Sequence, residues 1–331
     1  VYLTYSFTVD NVFIVALDTY VNPHRINQAW LNQQFHNNNQ QHAFVFAHEP
    51  AFSVHHDDCL DDYPTERNVF WDSLTCGGGR IYFTGHDHFY NHARIDDGDV
   101  NPDNDLHQFV VGSGGAPLAN WDGNYDGNNS YWMPQEVFHE KEYGYVVVEI
   151  DGQNVTVTWW KRINEGSYVN DSDIFSYNSA TIECFQDGLS PNAGYLGTRD
   201  TILSQTYPNT NFGGDLSLLV DGDDPSGSGK DLEALIKWDI STIPPNSYIL
   251  DACITTHITN KTNDTYELYE IMEDWKEDKA TWMYYDIGDW QVPGARGSAD
   301  RGKHLGPFSP KKTGTYKICL NDDGLDSVQF W

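Results

Sequence analysis

The chain has 331 residues, enough for two domains, and carries 49 Asp and Glu against 19 Lys and Arg, a formal charge of -30. Such a surface repels nucleic acid and anionic membranes, so neither is expected as a partner; it suits an exported protein in salty water or one that collects calcium. No apolar run approaches the roughly 20 residues of a spanning helix, so no membrane insertion is expected, and 11 Trp, 20 Tyr and 16 Phe argue against disorder.

In chain order, residues 13–19, 43–48, 81–84, 108–112, 145–150 and 155–161 read as strands, being short apolar runs rich in β-branched residues. Residues 24–37 predict an amphipathic helix with Ile26, Trp30, Leu31 and Phe35 on one face, and 65–74 a shorter one with Val69, Phe70 and Leu74 inward. Asp151-Gly152 is a hairpin turn between the last two strands. Strands alternating with helices and then a run of strands predict an α/β sandwich over residues 1–165. Residues 166–194 lose periodicity, fill with Ser, Asn, Asp and Gly, and read as a linker. Residues 195–331 show almost no helical periodicity. Their β-rich runs at 217–220, 234–238, 248–258, 266–271 and 314–319, separated by Gly, Pro, Asn and Asp, predict an all-β sandwich or jelly roll.

Five cysteines are present. Cys59 and Cys76 flank a short insert and are expected to pair, as are Cys253 and Cys319. Cys184 is left over. Sequons at Asn128, Asn154, Asn170, Asn260 and Asn263 fit an exported, extracellular glycoprotein.

Two stretches carry the chemistry. Phe46-Ala47-His48-Glu49-Pro50 and Thr84-Gly85-His86-Asp87-His88 each follow a predicted buried strand, so each delivers histidine to a strand end, where α/β sheets keep their sites. Neutral imidazole is the commonest side-chain ligand for zinc, iron and similar ions, so His48, His86 and His88 are expected metal ligands. The bland alternative is histidines that only cap strands. Asp87 should point to the opposite side of the strand end and orient a ligand rather than bind. Asp18 reads as structural. Tyr90, Asn91 and His92 are candidates for lining a substrate pocket. His55-His56-Asp57-Asp58 reads as a solvated lid or pocket rim. Acidic turns at 96–99, 221–224 and 321–324 carry oxygen ligands suited to calcium without EF-hand spacing.

The motif pair resembles the calcineurin-like metallophosphoesterase superfamily, which includes purple acid phosphatases. That family ends its motif series with Gly/Ala-His-x-Pro and then Gly-His-x-His, here Ala47-His48-Glu49-Pro50 and Gly85-His86-Asp87-His88. Tyr5-Ser6-Phe7, residues 13–19, the helix at 28–34 with Trp30-Leu31, Gly112-Ser113-Gly114-Gly115-Ala116-Pro117 and residues 144–151 match its flanking elements. The resemblance covers roughly the first 175 residues. It implies that His48 and His86 hold one metal and His88 another, with iron, zinc or manganese as the ions. It implies hydrolysis of phosphate mono- or diesters by a hydroxide bridging two metals ~3.5–4 Å apart. The family's Asp-x-His, Gly-Asp-x-x-Asp and Gly-Asn-His-Asp/Glu motifs do not occur upstream. The sequence is therefore expected to be the later half of a catalytic domain within a longer polypeptide, and inactive alone.

Asp200-Thr201-Ile202, Asn209-Thr210-Asn211-Phe212-Gly213, Ile236-Lys237-Trp238-Asp239-Ile240, Ile243-Pro244, Trp275 and Ala280-Thr281-Trp282 resemble a DNRLRE-type β-sandwich, expected to be cut short at its carboxyl end. Such modules accompany secreted enzymes, and some bind polysaccharides such as alginate. Tyr284 and Trp290 are the expected surface aromatics for sugar contact, with Trp238 and Trp282 in the core. Arg296, Arg301, Lys303, Lys311 and Lys312 are the basic-leaning stretch where an anionic glycan would be met. The rival reading is a non-catalytic structural, adhesive or polysaccharide-binding glycoprotein, whose open sheet edge favours self-assembly.

Overall fold

In the computed structural model, which describes residues 3–98, 101–125, 132–245 and 247–330, the chain divides into two compact units, Val1–Cys184 and Phe185–Trp331. The first unit runs β1 (Tyr5–Val9), β2 (Val12–Ala16), α1 (Gln28–His36), β3 (His42–Phe46), α2 (Pro64–Cys76), β4 (Gly79–Thr84), β5 (Tyr90–Asp96), β6 (Leu106–Val111), β7 (Met133–Glu140), β8 (Gly144–Asp151), β9 (Asn154–Asn164), β10 (Ser167–Val169) and β11 (Ile174–Asn178). Seven strands form one sheet in the order β1-β2-β3-β4-β6-β5-β7. β2, β3, β4 and β6 are mutually parallel, and β1, β5 and β7 are antiparallel to their neighbours. The four strands β8 to β11 form a second sheet, all antiparallel around β9.

Each face of the first sheet is covered by a different layer. Leu31 and Phe35 of α1 and Phe70, Trp71 and Leu74 of α2 pack on Phe13, Val15, Ala43, Val45 and Tyr82. On the other face Phe44, Ile81, Phe83, Tyr90 and Phe109 meet Val155, Val157 and Trp159 of β9. Tyr90 and Trp159 stack there with ring centroids 4.1 Å apart. Burial on both faces explains why β3, β4 and β6 read as near-continuous apolar runs. The α/β sandwich expected from the sequence is thus present.

Three expectations change. Residues 166–184 are not linker, because β11 pairs with β9 from Ile174↔Thr158 to Asn178↔Asn154. Cys59 does not pair with Cys76; Cys76 is bonded to Cys184, with Cα atoms 5.5 Å apart, and Cys59 is a buried free thiol whose Sγ contacts Asp61. The cause is α2. Its 13 residues, about 20 Å of helix, carry Cys76 at the far end, while Cys59 lies before its start. Finally, β5 and β7 form strands where no alternation announces them.

The second unit consists of β12 (Arg199–Ser204) with β13 (Leu232–Lys237), β14 (Cys253–Ile258) with β17 (Gly314–Cys319), β15 (Tyr266–Ile271) with β16 (Arg301–Phe308), and a helix α3 (Asp322–Phe330). The Cys253–Cys319 disulfide crosses β14 and β17 at directly opposed positions. Its core is Leu203, Leu235, Trp275, Ala280, Trp282, Trp290 and Ala295. Residues 217–220 form no strand, and Leu219 and Val220 are exposed. The short helix α3 is also unannounced; it contains Gly324, which weakens its helical signal. No helix among the described residues is long and apolar enough to cross a membrane.

The cysteine arrangement has a direct chemical readout. In native buffer the protein should show no thiol reactive to Ellman's reagent, because Cys59 is fully buried and desolvation raises its pKa above the usual thiol value. One thiol per chain should appear in denaturant. Two or more there, or a native-state reaction, would contradict this arrangement.

Candidate metal centre

Parallel pairing sets the site. β3 and β4 run side by side with Phe46 opposite Phe83, and the pairing continues past the strands, through Ala47 N to Phe83 O (3.1 Å) and Gly85 N to His48 O (3.0 Å). His48 and His86 are therefore held next to each other, rings edge to face and centroids 5.1 Å apart. His86 adopts φ 65°, a left-handed conformation that a non-glycine residue takes only where its surroundings fix it, and often at working sites. The loop that follows is pinned by β6: a Cβ on Gly112 would lie 1.9 Å from the Asp87 carbonyl oxygen, so only glycine allows this approach.

The 55–58 segment joins the centre. His56 stacks near His86 at 4.7 Å and lies 6.4 Å from His88. Asp87 is fully buried and points away from the ligand side, where its Oδ1 accepts from His56 N at 3.1 Å and from His56 Nδ1 at 2.6 Å. A carboxylate only accepts, so it fixes the proton on Nδ1 and leaves Nε2 toward the centre. Asp58 Oδ1 lies 3.0 Å from His86 Nε2. Burial is the largest single influence on Asp58 and raises its pKa, but the hydrogen bond from His86, its own backbone N–H and the nearby His86 and His56 together outweigh it and hold the carboxyl below its usual value. His88 Nδ1 is 3.1 Å from the Pro117 carbonyl. Burial, followed by His86 and His88, lowers the pKa of His48 and keeps it in the neutral form a ligand needs. Glu49 turns the other way. It is fully buried, 3.2 Å from His24 Nδ1, and desolvation raises its pKa.

His56 and Asp58 are the residues that sequence reasoning placed on a solvated lid; the structure brings both to the histidines. The available signal was the His-His-Asp-Asp run itself, starting seven residues beyond His48. Tyr90, Asn91 and His92 move the opposite way. All three are fully buried. Tyr90 and His92 both bond Asp173 Oδ2 (2.7 and 2.9 Å), His92 Nε2 meets His107 Nδ1 at 2.8 Å, and Asn91 accepts from Tyr125. Burial, reinforced by His92 and two arginines, drives His107 well below the ordinary histidine pKa. This network ties β5 and β6 to the segment entering β11. Asp18 accepts from Tyr20 N and caps the turn after β2.

The donor set is imidazole nitrogen with one carboxylate, which suits a single borderline ion such as zinc, iron or manganese. His48, His86, Asp58 and His88 are the residues that would hold it. The set does not fit two ions. Among the described residues no three of these donor atoms lie within 4.8 Å of one another, so the side chains must draw together to hold even one ion; the two groups that do gather three donors include none of these histidines. One of the two, Asp251 with Cys253 and Cys319, contains the disulfide sulfurs.

In the second unit Trp290 is 3% exposed, with its indole N–H on Thr281 O at 2.9 Å, so it belongs to the core and not to a sugar-binding surface. Tyr284 is exposed. Arg296 pairs with Asp231 and Glu233, Arg301 with Glu233 and Lys303 with Asp326, so three of the five basic residues of that stretch are paired internally. Asn154, Asn260 and Asn263 are exposed, Asn170 is half-buried, and Asn128 lies outside the described residues.

Residues 192–284 match carbohydrate-binding module family 96. No curated protein sequence matches the chain. Among solved structures the chain is similar to the purple acid phosphatase PPD1 from yellow lupin (Lupinus luteus) seeds, at 16% identity over 53% of this chain and 32% of that one, with a TM-score of 0.39. It is similar to PhoD at 13% identity, 54% and 42% coverage and a TM-score of 0.39. It is also similar to GAP50, the anchor in the inner membrane complex of Plasmodium, at 14% identity, 54% and 53% coverage and a TM-score of 0.36. The chain spans about a third to about a half of the length of these proteins.

Zinc titration against a chromophoric chelator measures the centre directly. His86→Ala should weaken zinc binding at least tenfold. Asp87→Asn, whose partner His56 is not one of the four ligands, should weaken it less than His86→Ala does. Equal affinity in wild type and His86→Ala would contradict the assignment.

Proposed function

We propose that this chain is the histidine-bearing part of an exported, metal-dependent phosphoesterase that carries a polysaccharide-binding module. The observation that supports it most is the meeting of His48, His86, His56 and His88 at adjacent strand ends, with Asp87 holding His56 from behind. The family match over residues 192–284 supports the module. Two disulfides and the acidic surface fit an extracellular location.

A bound ion would neutralise charge on a phosphate ester and polarise its phosphorus. The chain's own residues do the rest. His48 and His86 position the ion, Asp58 adds a negative donor, and Asp87 keeps the His56 proton on Nδ1. His56 Nε2 is then available to a phosphate oxygen or to the proton of a leaving group. A second ion would need acidic ligands beyond Asp58. The buried Tyr90–His92–Asp173 network holds β5 and β11 together and takes no part in chemistry.

The rival, a polysaccharide-binding or adhesive glycoprotein that reuses the scaffold, is favoured by the family match and by the single-ion donor set. Activity separates the two. Protein purified from its source and loaded with zinc, iron or manganese should hydrolyse p-nitrophenyl phosphate or its diester. His56→Ala should lower kcat/KM about 10²- to 10⁴-fold, and His86→Ala should abolish activity. Unchanged hydrolysis in His86→Ala would overturn the phosphoesterase reading; zinc binding with no hydrolysis in wild type would favour the rival.

A further inference from the structure

The segment between β2 and α1 brings an aromatic ring to the histidine centre. The ring centroid of Tyr20 lies 5.9 Å from that of His48, yet Tyr20 is 54% exposed, and Val21 beside it is 67% exposed. A single exposed tyrosine needs no explanation. This one differs because its backbone is fixed. Tyr20 N donates to Asp18 Oδ1 at 2.9 Å, Asp18 N donates to Thr4 Oγ1 at 3.0 Å, and His24 N closes the turn on Thr19 O at 2.9 Å. His24 adopts φ 61°, and its Nδ1 lies 3.2 Å from Glu49, the fully buried residue after His48. One residue of this strand end thus serves the centre and the next anchors the turn that carries Tyr20.

Tyr20 flanks one end of the centre. His48, His86, His56 and His88 follow one another with ring centroids 5.1, 4.7 and 6.4 Å apart. The His88 end is bordered by residues 117–119, where Pro117 O meets His88 Nδ1 and Ala119 N donates to His88 O. The His48 end carries the phenol face of Tyr20. A ring held in place before a ligand arrives loses little conformational freedom on binding.

We propose that Tyr20 selects the organic part of the substrate, a single sugar ring carried directly on the phosphate ester. The proposal rests on the phosphoesterase reading. A phenol face meets a flat or ring-shaped group and has little to offer a small chain. Because Tyr20 stands beside His48, it meets the group bonded to the ester oxygen; a nucleobase, set a whole ribose away from its phosphate, reaches past it. The formal charge of -30 repels ligands that carry several phosphates, and a sugar monoester carries few charges. The carbohydrate-binding family match over residues 192–284 supports a sugar over an aryl ester.

The test is calorimetric titration of the full chain, loaded with zinc, with three ligands that cannot be hydrolysed: methylphosphonate and the methylenephosphonate analogues of glucose 6-phosphate and of adenosine 5′-monophosphate. Wild type should bind the glucose analogue most tightly. Tyr20→Ala should lower its preference over methylphosphonate about fivefold, and Tyr20→Phe, which keeps the ring, should retain it. The same preference in wild type and Tyr20→Ala, or tighter binding of the adenosine analogue than of the glucose analogue, would overturn the proposal and leave the phosphoesterase reading standing. No saturable binding of any of the three to wild type would remove both.

Discussion

The parallel pairing of β3 with β4 is the constraint on which the centre depends. Both strands are buried on two faces, between α2 and the second sheet, so their register is fixed by the core on each side. A slip of one residue would turn Phe44 and Val45 to the wrong layers. With the register fixed, the backbone bond from Gly85 N to His48 O follows, and the two imidazoles come to rest edge to face. Everything chemical in the first unit hangs on that short extension of a ladder beyond its strands.

Around this pair the structure divides its carboxylates by depth. Asp87 is buried and serves His56; Asp58 is on the surface and reaches His86. Glu49, one residue from His48, faces into the protein toward His24. Turns and not strand alternation account for this: residues 85–89 bend, with Asp87 N bonded to Gly85 O at 2.7 Å, Phe89 N to Asp87 O at 2.9 Å and His86 at φ 65°, and Asp87 is buried while His86 stays beside His48. Tyr90 then begins β5 in the second-sheet core, where it stacks on Trp159 instead of meeting a substrate.

The fold class and His48, His86 and His88 were legible because they ride on strong local patterns: continuous apolar strands and histidines just beyond them. β5 was not legible. Its sequence Tyr-Asn-His-Ala-Arg-Ile-Asp carries polar groups that are buried through partners far along the chain, Asp173 and His107 among them. His56 was missed for a related reason, since its place depends on Asp87, 31 residues away. The cysteine pairing failed because separation in sequence says nothing about a helix standing between two residues. Trp290 failed because the indole partner, Thr281 O, belongs to a turn that has no sequence signature.

The measurement that bears most directly on the metal centre is elemental analysis of the protein as isolated from its source, in metal atoms per chain. The account predicts at least one zinc, iron or manganese per chain, with a second only where the whole protein supplies acidic ligands. Calcium alone, or no metal at all, would contradict it and leave the strand-end histidines as structural caps.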